Sequence, residues 1–72
     1  MPLNMIPISS SRITEMGYDT DEATVYVRFT DGPAWQYRYV PENIWLDFLS
    51  ADSKGRFINQ VLNHYEHGPA AI

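Results

Sequence analysis

The segment from Thr24 to Val40, TVYVRFTDGPAWQYRYV, constrains the fold more than any other part of the chain. Residues alternate at period two on both sides of a turn. Val25, Val27 and Phe29 stand against Thr24, Tyr26, Arg28 and Thr30, and then Trp35, Tyr37 and Tyr39 stand against Gln36 and Arg38. Such alternation marks half-buried strands, and Asp31-Gly32-Pro33 between them is turn chemistry. The segment therefore predicts a β-hairpin with one apolar face. A two-residue Asp31-Gly32 turn would oppose Phe29 to Ala34 and Val27 to Gln36, mixing the two faces. Shifting by one residue pairs Phe29 with Trp35, Val27 with Tyr37 and Val25 with Tyr39, so that every large apolar side chain lines one side. Because Pro33 cannot serve as the left-handed last residue of a three-residue loop, a loop of four or five residues is expected. Tyr37 and Tyr39 are then core residues rather than a stacking platform for bases.

The flanking segments extend this frame. In SSRITEMGY, residues 10 to 18, Ile13 and Met16 can share a face only if a bulge interrupts the strand, so a bulged first strand is expected there. VPENIWLDFLSA places Pro41 at a first helical position and Glu42 in the first turn, with Ile44, Trp45, Phe48 and Leu49 as the apolar stripe. After a break at Ala51-Asp52-Ser53, a second helix carries Phe57, Ile58, Val61, Leu62 and Tyr65 on one side and closes at Gly68-Pro69. The expected architecture is α+β: a three-stranded antiparallel β-meander followed by a two-helix hairpin packed on one face, in the order β-β-β-α-α. It forms one domain over 1–72, with a core at about 8–66, an N-terminal arm at 1–7 and a tail at 67–72.

A 72-residue chain buries only about 60% of its unfolded surface, and with no cysteine it has neither disulfides nor a thiolate zinc site to supplement its core. Self-association is the remaining supplement. It is expected here from the short length, the two Trp, five Tyr and three Phe, and an apolar arm, MIPI, with no place in a three-stranded core. The N-terminus has no basic region or long apolar run, and no stretch approaches the ~20 apolar residues of a membrane span. A soluble cytoplasmic protein that makes no membrane contact is expected.

These residues resemble the KTSC domain, a family named from its occurrence at the C-terminus of some lysyl-tRNA synthetases and also found as stand-alone proteins. The likeness covers about Ile8 to Tyr65. It rests on SSRI with Gly17-Tyr18-Asp19, the VRFTDG strand and turn, the YRY centre at Tyr37 to Tyr39, Val40-Pro41, and SKGRFIN at Ser53 to Asn59. The resemblance implies a small binding domain without an established biochemical activity, whose suggested role is RNA binding. The order of elements, a small sheet followed by two helices, is also similar to that of small phage proteins that sequester cyclic nucleotide signals of bacterial immunity.

Function is argued from SKGR. Ser53 is a good N-cap, which puts Lys54, Gly55 and Arg56 in a first helical turn, where cations oppose the helix dipole and glycine costs about 1 kcal/mol relative to alanine. A bound anion would reconcile all three choices, through free N–H groups, close backbone approach and two charged donors. The alternative is that Gly55 only eases the turn between the helices while Lys54 and Arg56 are solvated. On the anion reading, Asn59 adds a hydrogen bond one turn on. Arg28, Arg38 and Tyr26, on the sheet face away from the core, complete the ligand wall from the same or a neighbouring subunit. That face serves equally as a solvated surface or a protein interface.

The resulting expectation is a non-catalytic, self-associating module for a phosphate-bearing ligand of nucleotide type, with an RNA-binding domain and a protein-interaction module as rivals. Nine acidic against five basic side chains give a net charge of −4 and a pI near 4.8, which repels long polyanions but leaves a small ligand to feel local donors. His64 and His67 lack a third ligand for a metal, and Ser9, Ser10 and Ser11 have no base placed beside them. No metal, no cofactor and no enzymatic activity are expected.

Overall fold

The structure is a computed structural model in which residues 3–72 are described. Of the arm expected over 1–7, the first two residues lie outside that range. The elements are β1 (Met5–Pro7), β2 (Ile13–Asp19), β3 (Thr24–Phe29), β4 (Ala34–Arg38), α1 (Glu42–Ser50), α2 (Lys54–Gln60), a 3-10 turn (Leu62–His64) and β5 (Glu66–Pro69). All five strands form one antiparallel sheet in the order β1-β2-β3-β4-β5. The fold is α+β with two helices as expected, but four strands precede the helices and a fifth follows them.

Both additional strands come from segments expected to lie outside the sheet. The MIPI arm is β1, with Ile6 opposite Met16 on the edge of β2. Its place in the sheet removes one of the reasons for expecting self-association. The second helix ends at Gln60 rather than reaching Gly68. After it the chain makes the 3-10 turn that buries Leu62, and residues 66–69 then pair with β4. Val61 and Asn63 are poor helix formers, and the free edge of β4 offers a row of unpaired backbone groups. Pairing there outweighs continuing the helix. Proline is tolerated on such an edge, so Pro69 ends a strand instead of a helix.

The β3–β4 hairpin keeps its expected faces but not its expected register. Val27 lies opposite Trp35 and Val25 opposite Tyr37, a slip of two residues from the predicted pairing, and an even slip leaves every side chain on its own face. The loop is Thr30-Asp31-Gly32, closed by Phe29 N–H donating to the Pro33 carbonyl at 3.2 Å and Gly32 N–H to the Phe29 carbonyl at 3.1 Å. Its last residue is Gly32, at φ +123°, so Pro33 never has to be left-handed. The slip also moves Tyr39 beyond the end of β4. It is 70% exposed, with φ +60°, and is not a core residue. Tyr37 is buried as expected.

The bulge in β2 falls between Ile13 and Glu15, and Ile13 and Met16 both point into the core. That core joins Val25, Val27, Tyr37 and Val40 to Trp45 and Phe48 of α1, Ile58 of α2 and Leu62. Tyr18 stacks on Trp45 at 5.5 Å and Phe48 on Phe57 at 5.3 Å, which ties each helix to its neighbours. The Tyr18 hydroxyl donates to the Val40 carbonyl at 2.6 Å, so the entry to α1 is bonded to β2. The helices cover one face of the sheet and leave Tyr26, Arg28, Gln36 and Arg38 on the other.

Candidate functional site

The first turn of α2 meets the loop before β2 in an open cleft of about 330 Å³, walled by Ile8 to Arg12 on one side and Asp52 to Gly55 on the other. The loop is held from behind: Thr30 N–H donates to the Arg12 carbonyl at 2.9 Å, and the Thr30 hydroxyl to the Ser11 carbonyl at 3.1 Å. The Ser10 hydroxyl accepts from Arg12 N–H at 3.2 Å. Ser53 is the N-cap of α2, its hydroxyl accepting from Arg56 N–H at 3.2 Å.

Lys54 has a role that its own helix does not reveal. Its ammonium donates to the Leu49 carbonyl at 3.1 Å and the Ala51 carbonyl at 2.7 Å. These carbonyls belong to the C-terminal end of α1, where acceptors lack intrahelical partners and the dipole favours a cation. The lysine that opposes the dipole of α2 satisfies that of α1. An ammonium has three donors, so one remains.

Gly55 is buried because Arg12 lies across it. A Cβ at this position would stand 3.0 Å from Arg12 Cδ and 3.1 Å from Arg12 Nη1. The close approach foreseen for a ligand is therefore made by an arginine side chain, and Arg12 joins the site although the sequence reading did not name it. Arg56 in the same first turn and Asn59 one turn on are exposed. The Arg56 guanidinium has no hydrogen-bond or carboxylate partner among the described residues, and Asn59 Oδ1 accepts from Asn63 Nδ2 at 3.5 Å.

The structure does not bring Arg28, Arg38 and Tyr26 to this cleft. They lie on the opposite sheet face, where register neighbours hold the two arginines: Arg28 Nε donates to Glu15 Oε1 at 2.8 Å, and Arg38 Nη1 to Glu66 Oε1 at 3.4 Å. Exposed pairs of this kind contribute about 0.2–1 kcal/mol each, and they neutralise the cations. Tyr26 and Arg38 border a different cavity, with Asp19, Glu22 and Tyr39 at the far end of β2. At the 3.3 Å rise of a strand residue, the seven residues of β2 put roughly 20 Å between the two.

Of the five basic side chains, then, the two on the sheet face are ion-paired, whereas Arg12 and Lys54 of the cleft and Arg56, the residue after its Gly55 wall, have no carboxylate salt bridge among the described residues. Burial pushes the Tyr37 phenol up to about 12, and burial, followed by the charges of Glu42 and Asp19, raises that of Tyr18. The described residues hold no group of three His, Cys, Asp or Glu able to bind a metal ion, and no helix among them is long and apolar enough to cross a membrane.

Known proteins are similar to this chain over most of its length. A protein from Tsukamurella paurometabola is 41% identical over 58 residues, covering 81% of this chain and 87% of its own length. An uncharacterized protein from Stutzerimonas stutzeri is 33% identical over 67 residues, covering 90% and 94%. The crystal structure of a KTSC domain protein from Yersinia pestis superposes with a TM-score of 0.90 at 35% identity, across 97% of this chain and 100% of that one. The family model of the KTSC domain matches residues 9–65, a span that takes in the walls of the cleft apart from Ile8. The chain belongs to the KTSC domain family.

Proposed function

We propose that the chain is a non-catalytic binding module whose cleft takes a small phosphate-bearing ligand of nucleotide type. One observation carries the reading: the cations are segregated. In a chain of net charge −4, the arginines of the sheet face are spent on Glu15 and Glu66, while Arg12 and Lys54 line the cleft with Ser9, Ser10 and Ser11 and the exposed Arg56 follows directly on its Gly55 wall. Hydrogen bonds between cationic donors and phosphate are among the strong ones, at about 1.5–3 kcal/mol each. Arg12 and Arg56 supply planar donors, Lys54 its remaining N–H, and the serines neutral donors that suit phosphate oxygens. A cleft of about 330 Å³ has the size of a small-ligand site, and the acidic remainder of the surface disfavours a long polyanion.

A thermal-shift panel of mono-, cyclic and oligonucleotides, each beside its dephosphorylated nucleoside, tests the proposal. A ligand that binds only the native state raises the melting temperature. A phosphorylated member should do so and its nucleoside should not. RNA binding through the same cations would instead give affinity that rises with chain length and falls steeply with salt.

A further inference from the structure

The cavity at the far end of β2 has the opposite character. It is open to solvent, measures about 510 Å³ and is bordered by Asp19, Glu22, Tyr26, Gln36, Arg38 and Tyr39. Tyr39 sits at φ +60° with its side chain 70% exposed. A bulky residue in the left-handed region is a genuine outlier, and neither burial nor a hydrogen bond of its side chain offsets the cost. The backbone is fixed in this shape by Val40 N–H donating to the Ala23 carbonyl at 2.8 Å, which turns the Tyr39 ring out to the rim of the cavity. Tyr26, half-buried on β3, supplies a second aromatic wall.

The charges are set with similar definition. Asp19 Oδ1 accepts from the N–H groups of Asp21 at 2.9 Å and Glu22 at 3.2 Å, which fixes its carboxylate and leaves Oδ2 outside that turn. Neither Asp19 nor Glu22 has a cationic partner among the described residues, and the one cation at the rim, Arg38, is drawn to Glu66. The phenol pKa of the neighbouring Tyr18 is raised first by burial and then by the charges of Glu42 and Asp19. A metal ion is a poor match, because the described residues offer no set of three ligands. Aromatic faces beside unpaired carboxylates are the arrangement that recognises organic cations.

We propose that this cavity binds an organic cation, an ammonium or guanidinium group on a flexible chain, held between Tyr39 and Tyr26 and paired with the carboxylates of Asp19 and Glu22. The proposal is independent of the phosphate cleft. The cation can belong to a free polyamine or to a lysine or arginine side chain of a peptide, and the same chemistry receives either.

Amide chemical shifts followed during titration with spermidine, with a short lysine- and arginine-containing peptide and with magnesium chloride test it. Saturable shifts confined to Asp19–Thr24 and Gln36–Val40, with spermidine or the peptide but not with magnesium, are expected, and the tighter of the two identifies the source. Tyr39→Ala and Glu22→Gln should each weaken that binding tenfold or more. Both positions are exposed, so the melting temperature reports whether the variants stay folded. Shifts scattered over every acidic residue, equal shifts with magnesium, or unchanged affinity in folded Tyr39→Ala would overturn the proposal.

Discussion

The two ends of β2 carry opposite chemistry in the same small fold. Before its first residue, Arg12 crosses the start of α2 and stands with Lys54 beside a row of serines. At its last residue and in the turn that follows, Asp19 and Glu22 stand beside two tyrosines. The sheet face between them is electrically quiet, because each arginine there has a glutamate as its register neighbour. Charge in this protein is thus of two kinds. Some side chains are satisfied by the fold, and others are left open at its ends. Lys54 belongs to both kinds, since it bonds to α1 and still borders the cleft.

Replacing Lys54 by Met should have the largest effect, because it leaves the Leu49 and Ala51 carbonyls without their donor. A loss of about 1–3 kcal/mol is expected, or roughly 4–8 °C of melting temperature per kcal/mol in a domain of this size. Arg56→Ala should stay within about 0.5 kcal/mol of the parent. Equal losses in the two variants, measured by thermal melts, would erase the distinction between satisfied and open cations.

The core between the two ends has its own titration. The Tyr37 phenol is pushed by burial from its ordinary value of 10.0 up to about 12, so the folded state holds a proton that the unfolded chain releases. Stability from this group is complete below pH 10 and is lost as pH rises toward 12. Melting curves across that window should show the decline, and Tyr37→Phe should flatten it.

A smaller effect on stability, and a larger one on binding, is expected of Gly55→Ala. The new Cβ meets Arg12 Cδ at 3.0 Å and Nη1 at 3.1 Å, and that exposed, flexible side chain can move aside. The helix gains up to about 1 kcal/mol from alanine while Arg12 leaves its seat. Net stability should therefore hardly change, and phosphate-ligand affinity should fall. Unaltered affinity would show that the Arg12 position is incidental. The smallest change is expected at the other end, where Tyr39→Gly relieves a left-handed tyrosine and should raise stability by about 1 kcal/mol or less, read from denaturant midpoints.

What the sequence revealed follows from where the determinants lie. β2, β3, β4 and α1 were legible because their own periodicity specifies them, down to the bulge that lets Ile13 and Met16 share the core. β1 and β5 were not. They are three and four residues long and each ends in proline, so their pairing is dictated by the open edges of β2 and β4 rather than by any alternation of their own. The hairpin register was missed because Pro33 was weighed as the last loop residue when Gly32 fills that role.

At the site, Ser53 and Gly55 stood out through local helix rules. Arg12 and the α1 carbonyls did not, because both are neighbours made by tertiary structure. The one available signal was the conflict itself. A lysine and a glycine that disfavour their own helix are answered by groups outside it.

The most direct test of the segregated-cation account is the pair of measurements on Arg56→Glu. The substitution removes the donor next to the Gly55 wall of the cleft and places a favourable charge in the first turn of α2, worth about 0.3–1 kcal/mol. The ligand-free melting temperature should therefore match or exceed that of the parent, while calorimetry with the nucleotide that shifts the parent should register no binding. A destabilised variant, or one that binds that nucleotide with unchanged affinity, would contradict the account.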